Sequence, residues 1–332
     1  MDSSVLELKT LIEGFKLSCQ TESKSPKTVE WYTSFLERFR RFLESNGFPT
    51  PIDSITKSHI RAFIRYLQEE ARTPRSEKPL SQLTVQGYVR TLKAFFSWTT
   101  REEYLETNPM TNIPVPKAVT KIINTLSQEQ IATLFNVCRN RDSLGCRNLA
   151  VILLLLDSGM RVSELVNIDL DDINLTEGHL KIRRAKGNKE RLVPIGSLVQ
   201  KMLWKYLHCY RPRPLTDKVT RLFLSDSGLS LTKSGIQQML RRLGKQASIR
   251  GVRCSPHTFR HTFAKNYLLN GGDIFSLQKI LGHSSLASVR VYLNLFATDI
   301  KILHRRFSPV DNLAATRELH PLLRLINHNI KM

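Results

Sequence analysis

The sequence has little of what a membrane or secreted protein requires. Its longest aliphatic run, from Ala150 to Leu156, stops at Asp157 and is far shorter than the roughly 20 residues that cross a bilayer. We therefore expect a buried helix in this stretch and no membrane partner. Residues 1–9 are polar, and no apolar segment of signal-peptide type follows them, so the protein is expected to stay in the cytoplasm.

The sequence also lacks the patterns that hold metals and cofactors. The cysteines are odd in number, scattered and never in a CxxC pair: Cys19, Cys138, Cys146, Cys209 and Cys254. This excludes a disulfide framework and a cysteine-rich zinc site. His257 and His261 have zinc-ligand spacing but lack a third ligand at suitable spacing, so we expect no metal. No GxxxxGK[ST] loop or acidic triad for two metal ions stands out, and no cofactor is expected.

Acidic residues are too few to balance the basic ones. The chain has 50 Lys and Arg against 29 Asp and Glu, a net charge of +21, which attracts polyanions such as nucleic acid. Residues 1–117 hold 17 basic and 14 acidic side chains, whereas residues 118–332 hold 33 and 15. The two parts are thus expected to engage nucleic acid differently. Charge alone does not distinguish an enzyme from a structural nucleic-acid binder.

The first part of the chain is predicted to be an all-helical module over residues 1–111. Ser25-Pro26 is typical of a helix start, and large apolar residues then recur at helical spacing through Phe42. Further helices are predicted from about Thr56 to Ala71 and from Leu83 to about Thr100. The proline-containing stretch 112–123 reads as a linker. Ser127 and Gln130 then form a capping box that opens a new helix.

The second part, residues 124–310, is predicted to combine helices with a small β-sheet. Residues 179–186 and 189–195 alternate around Gly187-Asn188, which is typical of a hairpin. The predicted fold class is therefore mainly α with a small sheet. Residues 311–332 form a predicted tail helix with a single apolar stripe, which suits docking on a neighbouring subunit.

Polar residues of catalytic type occur in four places. Arg161 and Glu164 can share one helical face, although such a pair is more often a surface ion pair. Lys186 ends a strand beside the predicted turn, where it can reach a DNA groove or contact phosphates only. His257 and Arg260 lie on one side of a helix and can grip one phosphate.

The fourth place joins His283 and Tyr292. His283 follows Leu281-Gly282, a predicted helix stop, and the imidazole would lie near the start of the next helix, which attracts phosphate. Tyr292 is flanked by Val291 and Leu293. A tyrosine in that setting is, by itself, more often a packing residue than a nucleophile.

Taken in order and at these separations, the residues resemble the tyrosine recombinase family, also called phage-type integrases, and most closely its Xer-type branch. The matching motifs are GMRVSEL (159–165), KGNKERLVPI (186–195), HTFRHTFA (257–264) and LGHSSLASVRVY (281–292). Residues 84–109 also look like the end of the family's helical DNA-clamping domain. The resemblance implies a helical N-terminal clamping domain and a mixed α/β catalytic domain.

The resemblance further implies that Tyr292 attacks a DNA phosphate and forms a 3′-phosphotyrosine. Arg161 and Arg260 would clamp the phosphate oxygens, and Lys186 would protonate the leaving oxygen. His257 would accept or relay the tyrosine proton, and His283 would hydrogen-bond a phosphate oxygen. Glu164 would orient its surroundings, since a carboxylate that touched the phosphate would repel it.

The expected partner is double-stranded DNA, bound by a homo-tetramer, or a hetero-tetramer with a paralogue, on synapsed sites. Five cations are candidates for contacts with the DNA backbone: Lys189, Arg191, Arg241, Arg242 and Lys245. Their alternative role is a solvated basic face. A type IB topoisomerase and a non-catalytic DNA-binding protein remain alternative functions. The sequence does not indicate the DNA site or whether the reaction is integration, excision or resolution.

Overall fold

The computed structural model describes residues 6–73, 77–117, 124–138, 142–183 and 190–282, together with residues 304, 307 and 308. The chain divides into two compact units, Met1–Lys121 and Ile122–Met332. Lys186, Lys189, His283, Tyr292, the predicted turn at 187–188 and the predicted tail helix all lie outside the described residues.

The described part of the first unit is helical. Its helices are α1 (Leu8–Thr21), α2 (Pro26–Ser45), α3 (Lys57–Glu69) and α4 (Gln82–Arg101). The predicted start of α2 is confirmed, because the Ser25 hydroxyl accepts a hydrogen bond from the Thr28 N–H at 3.2 Å and Pro26 occupies the first turn. The predicted bounds of α3 and α4 were close to those observed, whereas α1 was not predicted.

Aromatic side chains dominate the core of this unit. Phe39, Phe63, Phe95 and Phe96 are fully buried, and the rings of Phe39 and Phe63 lie 5.0 Å apart. Burial of so much aromatic surface is sufficient to hold four amphipathic helices together. Residues up to 117 continue along this unit, since Met110 and Ile113 are buried in its core.

The described part of the second unit is also mainly helical. Its helices are α5 (Gln128–Val137), α6 (Ser143–Ser158), α7 (Val162–Leu165), α8 (Ser197–Lys205), α9 (Lys233–Gln246), α10 (Pro256–Leu269) and α11 (Ile274–Leu281). The capping box at Ser127 is confirmed, with the Gln130 N–H donating to the serine hydroxyl at 3.2 Å and the Gln130 side chain accepting in return at 3.0 Å. No helix in the described part of the chain is long and apolar enough to cross a membrane.

A three-stranded antiparallel sheet packs beside these helices. Its strands are β1 (Ile173–Asn174), β2 (His179–Ile182) and β3 (Arg191–Pro194), in that order. Leu180 pairs with Val193, and both are fully buried. The predicted pairing of the two longer strands is confirmed, although each is shorter than expected, and β1 was not predicted. The fold class is mainly α with a small sheet, as the sequence indicated.

Helix α6 forms the centre of the second core. The aliphatic run that the sequence marked as a buried helix lies within it, with Val151, Ile152 and Leu154 fully buried. Helix α10 packs directly against α6. This contact places the C-terminal end of α6, which is followed by Arg161, beside α10, which carries Arg260.

Candidate active site

The end of α6 determines where Arg161 lies. Gly159 adopts a left-handed conformation with φ of 58°, which ends the helix. An added Cβ there would lie 2.2 Å from the Phe263 ring of α10. A glycine is therefore required both by the backbone conformation and by the close approach of α10.

Arg161 and Glu164 are linked by a capping arrangement. We expected them on one helical face, but α7 begins at Val162, and Arg161 precedes it with an extended backbone. The Glu164 carboxylate accepts from the Arg161 N–H at 2.8 Å and from Arg161 Nη1 at 3.0 Å. The expected helical placement was wrong, because the glutamate caps the free N–H groups at the helix start.

Arg191 is the second partner of Glu164. Its Nη1 and Nη2 atoms donate to the two oxygens of that carboxylate at 2.9 and 2.8 Å. Its Nε donates to the Ile280 carbonyl at 3.0 Å. We expected Arg191 at the DNA backbone, but its guanidinium is engaged within the protein, and its side chain is only 12% exposed.

Glu164 is held ionised by its two arginines. Burial raises the pKa of this carboxyl, but the Arg191 contact and the Arg161 N–H lower it by more, so the net pKa lies below its usual value. The side chain is 3% exposed. Each guanidinium group offsets part of the cost of burying this carboxylate.

Arg260 reaches the same place from α10. It is buried, and its Nη1 and Nη2 atoms donate to the carbonyls of Gly159 and Leu281 at 2.8 and 2.9 Å. Arg161 Nη1 also lies 3.5 Å from the Leu281 carbonyl. The structure thus brings Arg161 and Arg260 together at the C-terminal end of α11, directly before residue 283.

The two histidines of α10 have different surroundings. His257 is exposed in the first turn, which Ser255 caps by accepting from the Thr258 N–H at 3.3 Å. His261 is half-buried, and burial, followed by the charges of His257 and Arg260, lowers its pKa. His257 is therefore the one that solvent, or a bound phosphate, can reach.

Tyr267 is a second tyrosine close to the arginines in the sequence, and it lies on α10. Its hydroxyl lies 2.8 Å from the Ser276 hydroxyl at the start of α11. Its ring packs at 5.6 Å from that of Phe263. The hydroxyl contact joins α10 to α11, and the ring contact lies within α10, so both are contacts of a structural residue.

The other DNA-contact candidates within the described residues lie on α9. Arg241, Arg242 and Lys245 are all exposed. In the described parts of the chain, no carboxylate oxygen lies within 4.0 Å of these three cations. These three residues, which we call the α9 cations, have no acidic partner among the described residues.

Two features of the site were not evident from the sequence. One is the pairing of Arg191 with Glu164, which joins residues 27 positions apart. The other is Gly282, which ends α11 with φ of 63° and whose added Cβ would lie 2.9 Å from the Arg191 guanidinium carbon. The Leu281-Gly282 helix stop was predicted, but nothing local indicated what packs on it.

Comparison with known proteins identifies the class to which this fold and site belong. Residues 124–298, more than half of the chain, match the phage integrase family, and residues 10–115 match the phage integrase SAM-like domain. The chain is 33% identical to tyrosine recombinase XerC of Oceanobacillus iheyensis, over 94% of this chain and 99% of that one. It is 31% identical to tyrosine recombinase XerD of Staphylococcus epidermidis, over 91% and 99%.

Solved structures show the same fold. XerA recombinase aligns with 90% of this chain and 98% of its own, at 27% identity and a TM-score of 0.51. A post-cleavage complex of the XerH recombinase with palindromic difH aligns with 92% of this chain and 85% of its own, at 20% identity and a TM-score of 0.67. The second match is evidence for the fold alone.

The chain belongs to the phage integrase family. Within that family it is a Xer-like tyrosine recombinase, an enzyme that carries out site-specific DNA recombination by tyrosine cleavage. Neither alternative expected from the sequence, a type IB topoisomerase or a non-catalytic DNA-binding protein, finds support in these comparisons.

Proposed function

We propose that Tyr292 is the nucleophile and that Arg161 and Arg260 hold the phosphate that it attacks. The observation that carries this proposal is the meeting of both guanidinium groups at the end of α11, directly before His283. Tyr292 follows ten residues after Gly282 in the sequence. The chain therefore leads from the arginine pair to the tyrosine with little intervening length.

In the proposed reaction, the Tyr292 oxygen attacks the scissile phosphorus and the bond to the 5′-oxygen breaks. The product is a 3′-phosphotyrosine and a free 5′-hydroxyl, with the phosphodiester energy kept in the new ester. Attack by the 5′-hydroxyl of a partner duplex then releases Tyr292 and seals the exchanged strand. No external energy source is needed.

The two arginines stabilise the charge that grows on the non-bridging oxygens. The carbonyls of Gly159 and Leu281 fix the Arg260 guanidinium, and the Glu164 carboxylate fixes that of Arg161, before DNA arrives. Loss of one such donor is worth about 2.7–4 kcal/mol by analogy with oxyanion holes. Glu164 holds Arg161 and stays away from the phosphate.

Proton transfer is assigned to the remaining residues. Lys186 protonates the leaving 5′-oxygen, and His257 accepts or relays the proton of Tyr292. The exposure of His257 in the first turn of α10 supports its part. His283 donates a hydrogen bond to a phosphate oxygen.

The substrate is double-stranded DNA, bound in the cytoplasm at the nucleoid by a tetramer of this chain or of this chain and a paralogue.

Domain bounds of 1–111, 112–123 and 124–310 suit a clamp, a linker and a catalytic domain. The tail over 311–332 docks on a neighbouring subunit. A lambda integrase tetramer bound to a Holliday junction has the same fold at 18% identity. The exchange integrates, excises or resolves DNA of a mobile element or chromosome.

The α9 cations and Lys189 contact the DNA backbone. The exposure of Arg241, Arg242 and Lys245 without a neighbouring carboxylate among the described residues supports this part. Such contacts add affinity with little sequence dependence.

The test is a covalent adduct on a suicide substrate. A binding site is first selected from a randomised duplex library. A nick beside the cleavage position then lets the short released fragment, which carries the 5′-hydroxyl, diffuse away. Wild type should form an SDS-resistant adduct, whereas Tyr292→Phe should bind the duplex normally and form none. Tyr267→Phe is the matched control and should keep the adduct. An adduct in Tyr292→Phe, or none in wild type, would exclude Tyr292 as the nucleophile.

A further inference from the structure

Arg191 lies where three elements of the second unit meet. It belongs to β3, its guanidinium pairs with Glu164 of α7, and its Nε donates to the Ile280 carbonyl near the end of α11. The contact with Glu164 is bidentate, which fixes the plane of the guanidinium as well as its position. Arg191 thereby connects β3 with the elements that hold Arg161.

The charges around Glu164 show what Arg191 contributes. Arg161 and Arg191 share one carboxylate, so the three groups together carry one positive charge. Arg161 is the more exposed partner, with 30% of its side chain accessible against 12% for Arg191. The surplus positive charge is therefore more accessible to solvent at Arg161 than at Arg191.

Without Arg191, the charge of Glu164 would fall entirely on Arg161. Glu164 is 3% exposed, so water and salt screen its charge only weakly. Arg161 would then form a closed ion pair with Glu164, and its attraction for a phosphate would be largely cancelled. Arg161 would then remain in place but would bind a phosphate only weakly.

The guanidinium of Arg191 also packs on the turn that ends α11. The position that a Cβ of Gly282 would occupy lies 2.9 Å from Arg191 Cζ and Nη1. Residue 282 is left-handed and lacks a side chain, so the guanidinium can lie flat against this turn. Arg191 thus supports the backbone from which residue 283 continues.

We propose that Arg191 is a positioning residue for DNA cleavage, which keeps the positive charge of Arg161 available to the phosphate by neutralising Glu164. This inference rests on the proposed function of Arg161. It replaces the direct contact with the DNA backbone that the sequence suggested for Arg191. Arg191 acts through Glu164 and the α11 turn and does not touch the substrate.

The test compares Arg191→Met, Arg191→Lys and Glu164→Gln with the double variant Arg191→Met/Glu164→Gln. The first readout is the rate of adduct formation on the nicked duplex at saturating protein, and the second is the duplex Kd. Arg191→Met should lower the rate about tenfold or more. Loss of a residue that donates directly to the phosphate would lower it further, by about 10²–10³-fold. Its Kd should stay within about threefold, because many other phosphate contacts remain.

The decisive result is rescue by the second substitution. Glu164→Gln removes the negative charge that would cancel the positive charge of Arg161. The double variant should therefore cleave at least several-fold faster than Arg191→Met. A purely structural role would give a double variant no faster than Arg191→Met, and that result would overturn the proposal. Arg191→Lys keeps the charge without the bidentate geometry and should fall between wild type and Arg191→Met. If Arg191→Met does not fold, Arg191→Gln takes its place, and a wild-type adduct rate in Arg191→Gln would overturn the proposal.

Arg183→Met is the matched control. Arg183 also neutralises a buried carboxylate, that of Asp172, but within the described part of the chain no hydrogen bond or ion pair joins it to Arg161 or Arg260. Its rate should stay within about twofold of wild type, and an equal loss in both variants would overturn the proposal. Absence of an adduct in wild type would instead contradict the proposed function, whereas a normal adduct rate in Arg191→Met contradicts only the role of Arg191.

Discussion

Arg260 is anchored by the main chain. Its two terminal nitrogens donate to the carbonyls of Gly159 and Leu281, which belong to the ends of two different helices. Both carbonyls come from helix termini, where they lack an intrahelical partner. The arginine thus satisfies these acceptors and gains a fixed geometry in return. Correct placement of Arg260 therefore depends on how α6 and α11 end.

Gly159→Ala is predicted to destabilise the second unit much more than Gly251→Ala. Both glycines have positive φ, 58° and 77°, so each substitution carries the left-handed cost of about 1–2 kcal/mol. Only at Gly159 would the new Cβ overlap the Phe263 ring, at 2.2 Å, whereas no atom lies within 4 Å of the position at Gly251. Overpacking should add about 1–3 kcal/mol.

Urea unfolding followed by circular dichroism measures this difference. The Gly251→Ala variant is the matched control, since it shares the backbone cost and lacks the overlap. Equal losses in unfolding free energy for the two variants would mean that the approach of α10 to the α6 terminus is not tight. Adduct formation by Gly159→Ala should also fall, because the overlap with Phe263 would displace the carbonyl of residue 159, which anchors Arg260.

At the residue scale, local sequence patterns predicted part of the site. The Arg161–Glu164 contact follows from a separation of three residues, and only its form as a helix cap was missed. The Glu164–Arg191 pair has no such local origin, since it depends on the position of β3 against α7. A pair of that kind is visible only once the fold is known.

At the scale of elements, α9 shows how one helix serves two purposes. Its apolar side, which includes Ile236, Met239 and Leu240, is buried in the second core. The α9 cations lie on the other side, and the described residues supply no carboxylate within 4.0 Å of them. Burial holds the helix in place, and the basic side is left available to DNA.

Replacing the three α9 cations by glutamine is predicted to weaken the salt dependence of DNA binding. If each contacts one phosphate, the slope of log K against log salt should become shallower by about 2.7, from about 0.9 per contact. The measurement is fluorescence anisotropy on a duplex of unrelated sequence over a range of salt. Loss of affinity should not depend on the sequence used.

The control removes the same formal charge from cations that already have acidic partners. Lys181, Arg183 and Arg221 pair with Glu190, Asp172 and Asp169. Their glutamine triple variant should change the slope much less, since paired cations are poorly available to phosphates. If the two triple variants had equal slopes, net charge and not the α9 surface would govern binding.

Apolar periodicity predicted some of the observed elements and not others. Helices α3 and α4 carry clear apolar stripes, so their bounds were close. Helix α1 has the same apolar spacing in its sequence, with Leu8, Leu11, Ile12, Phe15 and Cys19 buried, although it was not predicted. Strand β1 has only two residues, which is too short for any alternation to be seen.

At the scale of the whole molecule, each unit has its own hydrophobic core. The cluster of the first unit and the main cluster of the second unit share no residue. Net charge is also unequal, because the basic excess comes mostly from residues after 117. This organisation agrees with the separate family matches over residues 10–115 and 124–298.

We expect the two units to unfold as separate transitions that respond to different core substitutions. Phe39→Ala and Leu154→Ala each remove a fully buried side chain, one from each core. Such truncations cost about 3–5 and 2–5 kcal/mol. In calorimetry of the full chain, Phe39→Ala should lower the Tm of one transition, and Leu154→Ala that of the other. Hydrogen exchange read by mass spectrometry assigns each transition to its unit. If either substitution lowered the stability of both units equally, the two cores would form one cooperative unit.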